Sequence, residues 1–293
     1  MVTHCTRRYA TPALIAIAIV GVISTSAAAQ EPSASTPGHV AITGSIDFLN
    51  AYAFRGIRQD DTGLTMWPAV NVGLPVYSGD SGLKRITVNV GSWNSLQSGV
   101  AGSDGLSGER WYESDVHAAL DVGLRGGVTI GTAYTAYTSP NGMFTTVKEV
   151  ALKLAVDDRA AFGSGAVKPY ALVAFELDTH PGTGQADGGF EAGKYLEIGA
   201  APGYTMRGTG IAFPVKVGLS LGGYYELAGR DHRFGFFSAS SILTVPLGSR
   251  TSAGRWEVRS GVEYQALGDT TKAFNGGDGS NVIGSIGLGW SRY

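Results

Sequence analysis

Cysteine is almost absent from this chain: of 293 residues only Cys5 carries a thiol. It stands in a segment that reads as an export leader, so the remainder has neither disulfides nor thiol chemistry. Charge is scarce as well. Charged residues make up 16% of the chain and the formal net charge is −2, which leaves no basic footprint for nucleic acid. Beyond residue 29 there is no apolar run long enough for a membrane helix. A soluble exported protein would explain that, and so would a barrel whose strands alternate. What is abundant is glycine, at 44 residues.

Arg7 and Arg8 form a basic n-region, Leu14 to Ile23 an apolar h-region, and Ala27-Ala28-Ala29 a small-residue cleavage site before Gln30. The apolar run is shorter than the ~20 residues a spanning helix needs. Residues 1–29 are therefore expected to be a signal peptide, 30–38 a flexible lead-in rich in Pro, Ser and Ala, and 39–293 a single fold.

The most regular stretch runs from Trp111 to Thr138. Val116, Ala118, Leu120, Val122 and Leu124 point one way, and Asp115, His117, Asp121 and Arg125 the other. A period of two marks a strand with one apolar and one polar face. After Arg125-Gly126-Gly127 the alternation resumes, with Val128, Ile130, Tyr134 and Ala136 against Thr129, Gly131, Thr135 and Tyr137, so the pair is a β-hairpin. Charges stand in the middle of the strand rather than at its ends, as they do when lipid lies outside and water inside.

The same reading gives twelve strands in all. The first begins near Val40 and runs into Tyr52-Ala53-Phe54-Arg55-Gly56-Ile57, with the alternation broken at Leu49 and Asn50, a place for a bulge. Pro68 and Pro75 sit awkwardly in the second. The longest loops follow strands three, seven and eleven, whereas the connections after strands two, four, eight and ten are short. That asymmetry, with an even strand count, predicts an all-β antiparallel transmembrane barrel with both termini periplasmic. Aromatics fall at two levels, as interfacial girdles would. Phe54, Trp93, Trp111, Tyr112, Tyr134, Phe144, Tyr195, Tyr225, Phe236 and Tyr264 lie towards the long loops; Tyr77, Tyr170, Tyr204, Phe213, Trp256, Trp290 and Tyr293 lie towards the short turns.

Tyr52-Ala53-Phe54-Arg55-Gly56-Ile57-Arg58-Gln59 and Gly91-Ser92-Trp93-Asn94-Ser95 carry a resemblance. They are similar to the Tyr-x-Phe-Arg-Gly-Ile-Ser-Gln opening and the Gly-x-Trp-x-Ser run of the TorF-type (Gcw conserved hypothetical) family of proteobacterial outer-membrane porins. Arg58 departs from the serine usual there, and the match covers only the first three strands. The resemblance implies the location and the fold more than any solute. Tyr293 is the terminal aromatic that the barrel-assembly machinery reads, although Ser291 stands where a second hydrophobe is expected, and Trp290, Leu288 and Ile286 supply the apolar face.

Catalytic motifs are weak. Gly218-Leu219-Ser220-Leu221-Gly222 fits a nucleophile elbow, but it lies inside an alternating strand instead of at a strand-to-helix turn. His39, His117, His180 and His232 have no spaced metal partner. Asn275-Gly276-Gly277-Asp278-Gly279 offers a single carboxylate, too few for calcium. No enzyme activity, cofactor or metal is expected. The informative set is the inward-facing charge: Arg55, Arg85, Asp115, His117, Asp121, Glu149, Lys153, Lys168, Glu176, Lys216, Glu257, Arg259 and Glu263, with Asp47 and Glu197 beside them. Such residues either form ladders that orient ions across a constriction or pair as structural salt bridges filling the lumen. Two readings follow. One is a porin in the cell outer membrane of a Gram-negative bacterium, bedded in lipid and passing small hydrophilic solutes or ions by diffusion. The other is a filled barrel acting structurally or through its extracellular loops. The solute and the oligomeric state are not legible in the sequence.

Overall fold

The computed structural model describes residues 39–99, 110–177 and 192–293, with the backbone alone at Arg250. The expected signal peptide and the whole of the expected lead-in, together with residues 100–109 and 178–191 of the loops after strands three and seven, lie outside the described residues.

Alternation builds a wall. Its strands are β1 (Ala41–Leu49), β4 (Thr65–Ser78), β5 (Leu83–Gln97), β6 (Trp111–Leu124), β7 (Val128–Thr138), β8 (Val147–Val156) and β9 (Pro169–Glu176). The wall goes on through β10 (Lys194–Ala200) extended by β11 (Gly203–Met206), and β12 (Thr209–Ala212) extended by β13 (Val215–Gly222). After a short hairpin outside the wall, β14 (Glu226–Leu227) and β15 (Arg230–Asp231), it ends with β16 (Phe234–Thr251), β17 (Gly254–Leu267) and β18 (Ser280–Arg292). Each pairs antiparallel with its sequence neighbours, and β1 pairs with β18 from Ile42↔Arg292 to Leu49↔Ser285, which closes a 12-strand barrel. A closed sheet has no free edge, the condition for crossing lipid with strands. Both described ends lie at the end of the short turns. No described helix is long and apolar enough to cross a membrane.

Face parity follows the sequence pattern. Val116 (55% exposed), Val262 (56%) and Ile286 (57%) stand outward, and the polar residues between them turn in. An apolar band of that kind is stable against acyl chains and not against water. The prolines sit where the ladder is open. Between β4 and β5 the register passes from Met66↔Leu96 to Ala69↔Trp93 without pairing Pro68, and it shifts between Pro75 and Tyr77.

Two expectations change. The first strand does not run on to Ile57. It ends at Leu49, where the Asn50 side chain accepts from Gly284 N (2.6 Å) in place of a ladder bond, and the chain leaves the wall. It then turns into the lumen as a hairpin of β2 (Tyr52–Phe54) and β3 (Ile57–Asp60). The long-loop girdle is the second correction. Phe54, Trp93, Tyr112, Tyr195, Tyr225 and Phe236 are buried within the barrel around that hairpin, and of the expected set Tyr134 and Tyr264 are exposed outside. Phe48, Phe175 and Phe237, outward by parity, complete the band. The other girdle has Tyr77, Tyr204, Phe213 and Trp256 outside, with Trp290 against Trp256, whereas Tyr170 turns inward.

The residues between β8 and β9 include the short helix α1 (Arg159–Phe162), and the long loop after β17 carries the short helix α2 (Asp269–Phe274). Between β9 and β8, residues 157–168 form a compact turn. There the Asp158 carboxylate accepts from Lys168 N (2.9 Å) and Val167 N (3.1 Å), which together hold it below the ordinary carboxylate range.

Candidate functional site: a hairpin seated in the lumen

The tip of the in-folded hairpin is Arg55-Gly56, and both residues have positive φ, 46° and 86°. A two-residue turn of that hand matches the twist of the paired strands. Glycine is at home there, while arginine in the left-handed region costs about 1–2 kcal/mol. The contacts of Arg55 offset that strain. Its Nη1 and Nη2 donate to the two oxygens of Glu149 on β8 (2.7 and 2.8 Å), and Nη1 donates also to Tyr224 Oη (2.8 Å). The guanidinium lies 4.0 Å from the Tyr195 ring centroid, and Tyr225 Oη donates to the Arg55 carbonyl (2.8 Å). Arg55 is 2% exposed. A buried, bidentate, stacked arginine is among the strongest anchors a side chain can make.

The rest of the hairpin is held as fully. Tyr52 Oη donates to Glu113 (2.7 Å), and its ring sits edge-on to Trp67 with centroids 5.2 Å apart. Tyr112 Oη donates to Gln59 (2.6 Å). Ile57 enters a second cluster with Leu172, Tyr195, Tyr225 and Phe236. From the loop after α2, Asn275 donates to the Gly56 carbonyl (3.0 Å) and accepts from Arg58 N (2.7 Å), while Arg58 also pairs with Asp278 (2.8 Å). The loop once weighed for calcium thus serves as a strut on the hairpin.

Along the inner wall, glycines on intermediate strands leave room for polar side chains on the strands to either side. Arg259, Gly287 and Asp47 are successive register partners, and Arg259 Nη2 reaches Asp47 at 3.0 Å. Asp121, Gly131 and Lys153 repeat the arrangement; a Cβ on Gly131 would come within 2.7 Å of Asp121 Oδ1. Asn71, Gly91 and His117 repeat it once more, with His117 Nε2 3.2 Å from Asn71 Oδ1.

The remaining expected residues are placed as follows. Glu197 accepts from Tyr170 Oη and Tyr195 Oη (2.8 Å each) and lies 3.8 Å from Lys216 Nζ. Asp121 accepts from Asn89 (2.6 Å), Glu263 from Ser238 (2.5 Å) and Gln265 (3.0 Å), and Glu176 from Gly193 N (2.8 Å). Asp115 is buried beside Glu113. Arg85, Lys153 and Glu257 are half-exposed on the inner face, and Lys153 Nζ stands 4.9 Å from the Tyr170 centroid. Lys168 is a correction: it belongs to the turn before β9, at φ 50°, rather than to a strand. Arg55 is another, since it reaches Glu149 from the hairpin and not from the wall. Ser220 is buried, donates to Asp231 (2.6 Å) and accepts from Gly222 N and Tyr224 N (3.1 and 3.2 Å), a turn-holding role.

A closed antiparallel barrel with an apolar outer band, a polar interior and a hairpin seated in its lumen is a transmembrane β-barrel of the outer-membrane kind. No family model and no curated protein matches the sequence. Solved structures similar to it include an outer membrane channel from Pseudomonas putida F1, at 12% identity and TM-score 0.47 over 88% of this chain and 97% of that one. The NanC porin is 12% identical with TM-score 0.38, over 86% and 99%. The outer membrane phospholipase of Salmonella typhi, solved as a dimer with bound calcium, is 11% identical with TM-score 0.41, over 90% and 93%. The likeness concerns fold alone.

Proposed function

We propose that this protein is a narrow diffusion channel for small hydrophilic solutes in a Gram-negative outer membrane, constricted at its long-loop mouth by the hairpin. One observation carries the reading. Inner-face side chains are buried around the hairpin, whereas towards the short turns Arg85, Lys153 and Glu257 are partly exposed beside buried Thr43, Thr87 and Thr244. A barrel filled for structural purposes would be dry along its whole length, and here a wet vestibule leads up to a clamped element. The Arg55–Glu149 clamp is then the constriction. Residues 1–29 act as the export signal, and the C-terminal strand with Tyr293 engages the assembly machinery.

The filled-barrel reading has its own support in the completeness of the hairpin's seat. Single-channel recording of refolded protein in a planar bilayer separates the two. A channel gives discrete steps that grow or lengthen in Glu149→Gln. Silence from wild type and variant alike, in protein shown to be folded and inserted, would refute the channel and leave the filled barrel.

A further inference from the structure

We propose that the solutes this lumen passes are small anions, such as carboxylates or inorganic phosphate; the inference rests on the channel reading and names its solute class. The two signs of charge on the inner face are treated differently. Carboxylates are short and are tied back into the wall. Asp121 is held by Asn89 at 2.6 Å, and Glu197 by two tyrosine hydroxyls at 2.8 Å. Asp47 is bonded to Arg259 at 3.0 Å, and all three are almost fully buried. Cations reach the water. Arg85, Lys153 and Arg255 are partly exposed, Lys216 is 14% exposed and lies 3.8 Å from Glu197, and on the inner face of the described wall strands Glu257 is the one carboxylate that is not buried. Among the described residues Arg85 and Lys153 have no carboxylate within 4.0 Å.

That difference decides contact chemistry. Taken together, the wall's carboxylates outnumber its bases, but all of them except Glu257 are buried, so the anion assignment rests on contact and not on the summed charge. A solute crossing a narrow lumen sheds part of its hydration and must replace it with groups that can touch it. The groups able to do so are ammonium and guanidinium ends on flexible stems, which extend into water while their methylenes lie on the wall. Carboxylates already saturated by hydroxyl, amide and guanidinium donors have little left to offer a passing cation. The cationic set also flanks the approach to the hairpin, because Lys153 touches Tyr170, Tyr170 holds Glu197, and Tyr195 connects Glu197 to Arg55.

The test is the reversal potential of the inserted protein in a KCl gradient, with inorganic phosphate then added as a blocker. Wild type is expected to favour chloride over potassium, and Arg85→Gln with Lys153→Gln is expected to lower that ratio at least twofold. Phosphate should reduce the KCl current of the wild type in a concentration-dependent way, a readout that needs no variant. Potassium preference in the wild type, or a double variant with an unchanged ratio and no phosphate block, would overturn the anion assignment and leave the channel standing. Absence of any conductance would overturn the channel and the assignment with it.

Discussion

Glu149→Gln is the most direct perturbation of the hairpin's hold on the wall. The substitution keeps the size and planarity of the side chain and removes the charge that both Arg55 nitrogens address at 2.7 and 2.8 Å. Deleting one partner of a buried ion pair costs about 3–5 kcal/mol, chiefly because the other charge stays buried alone. Arg55 retains its hydrogen bond to Tyr224 and its stack on Tyr195, so the lower end of that range is expected. At ~1.4 kcal/mol per factor of ten, about 3 kcal/mol raises the released population roughly a hundredfold. Trypsin reports that population. The Arg55–Gly56 bond is sealed in the seat, and it is cleaved only when the hairpin swings out. Cleavage rate follows the open fraction when opening and closing outpace cutting. Quantifying the new terminus at Gly56 by mass spectrometry, in refolded protein that still migrates as a closed barrel, should give an increase of about two orders of magnitude. A change of less than threefold would refute the view that the Arg55–Glu149 pair holds the hairpin.

Gly56→Ala should release the hairpin by about tenfold in the same assay. A side chain at φ 86° enters the left-handed region at about 1–2 kcal/mol. Its Cβ would also meet Phe236 Cβ at 2.9 Å, so a wild-type cleavage rate would speak against the tip geometry. Asp158 gives a pH signature. Its folded carboxyl is held below the ordinary range, mainly by Lys168 N–H, so its stabilisation is present above the unfolded pKa and is lost as pH falls through the depressed folded value. Asp158→Asn should therefore lower Tm at neutral pH, and the gap to wild type should close as the solution is acidified; a gap independent of pH would contradict the assignment.

How much of this was legible in the sequence depended on whether the signal was local. Strand parity was, because a period of two involves only neighbours: Val116, Leu120 and Ile286 stand outward as the alternation requires. The hairpin was not. Tyr52, Ala53, Phe54 and Ile57 are apolar and aromatic like a wall strand, and only the broken alternation at Leu49–Asn50 and the Arg55-Gly56 dipeptide marked a departure. Level along the barrel, read alone, puts the aromatics in a girdle whichever face they occupy. Parity would have sorted them better, since Trp93 shares its face with Thr87 and Asn89 and had to point inward. The partnership of Arg55 with Glu149 could not be read at all, because it crosses the lumen between segments whose register the sequence leaves open.

The position of the hairpin in the chain sets an order of assembly. It is made just after the first strand, yet its anchors arrive much later: Glu149 follows Arg55 by 94 residues, Tyr224 by 169, and Asn275 follows Arg58 by 217. Contacts so distant form only after a large loss of chain entropy, which makes them late events. Until β8 and the segment before β16 are in place, a strained arginine and several large aromatics have nowhere to dock. Insertion of the hairpin is therefore coupled to formation of the second half of the wall, and a cleavage-resistant Arg55 marks a molecule in which Glu149 and Tyr224 have already reached the lumen.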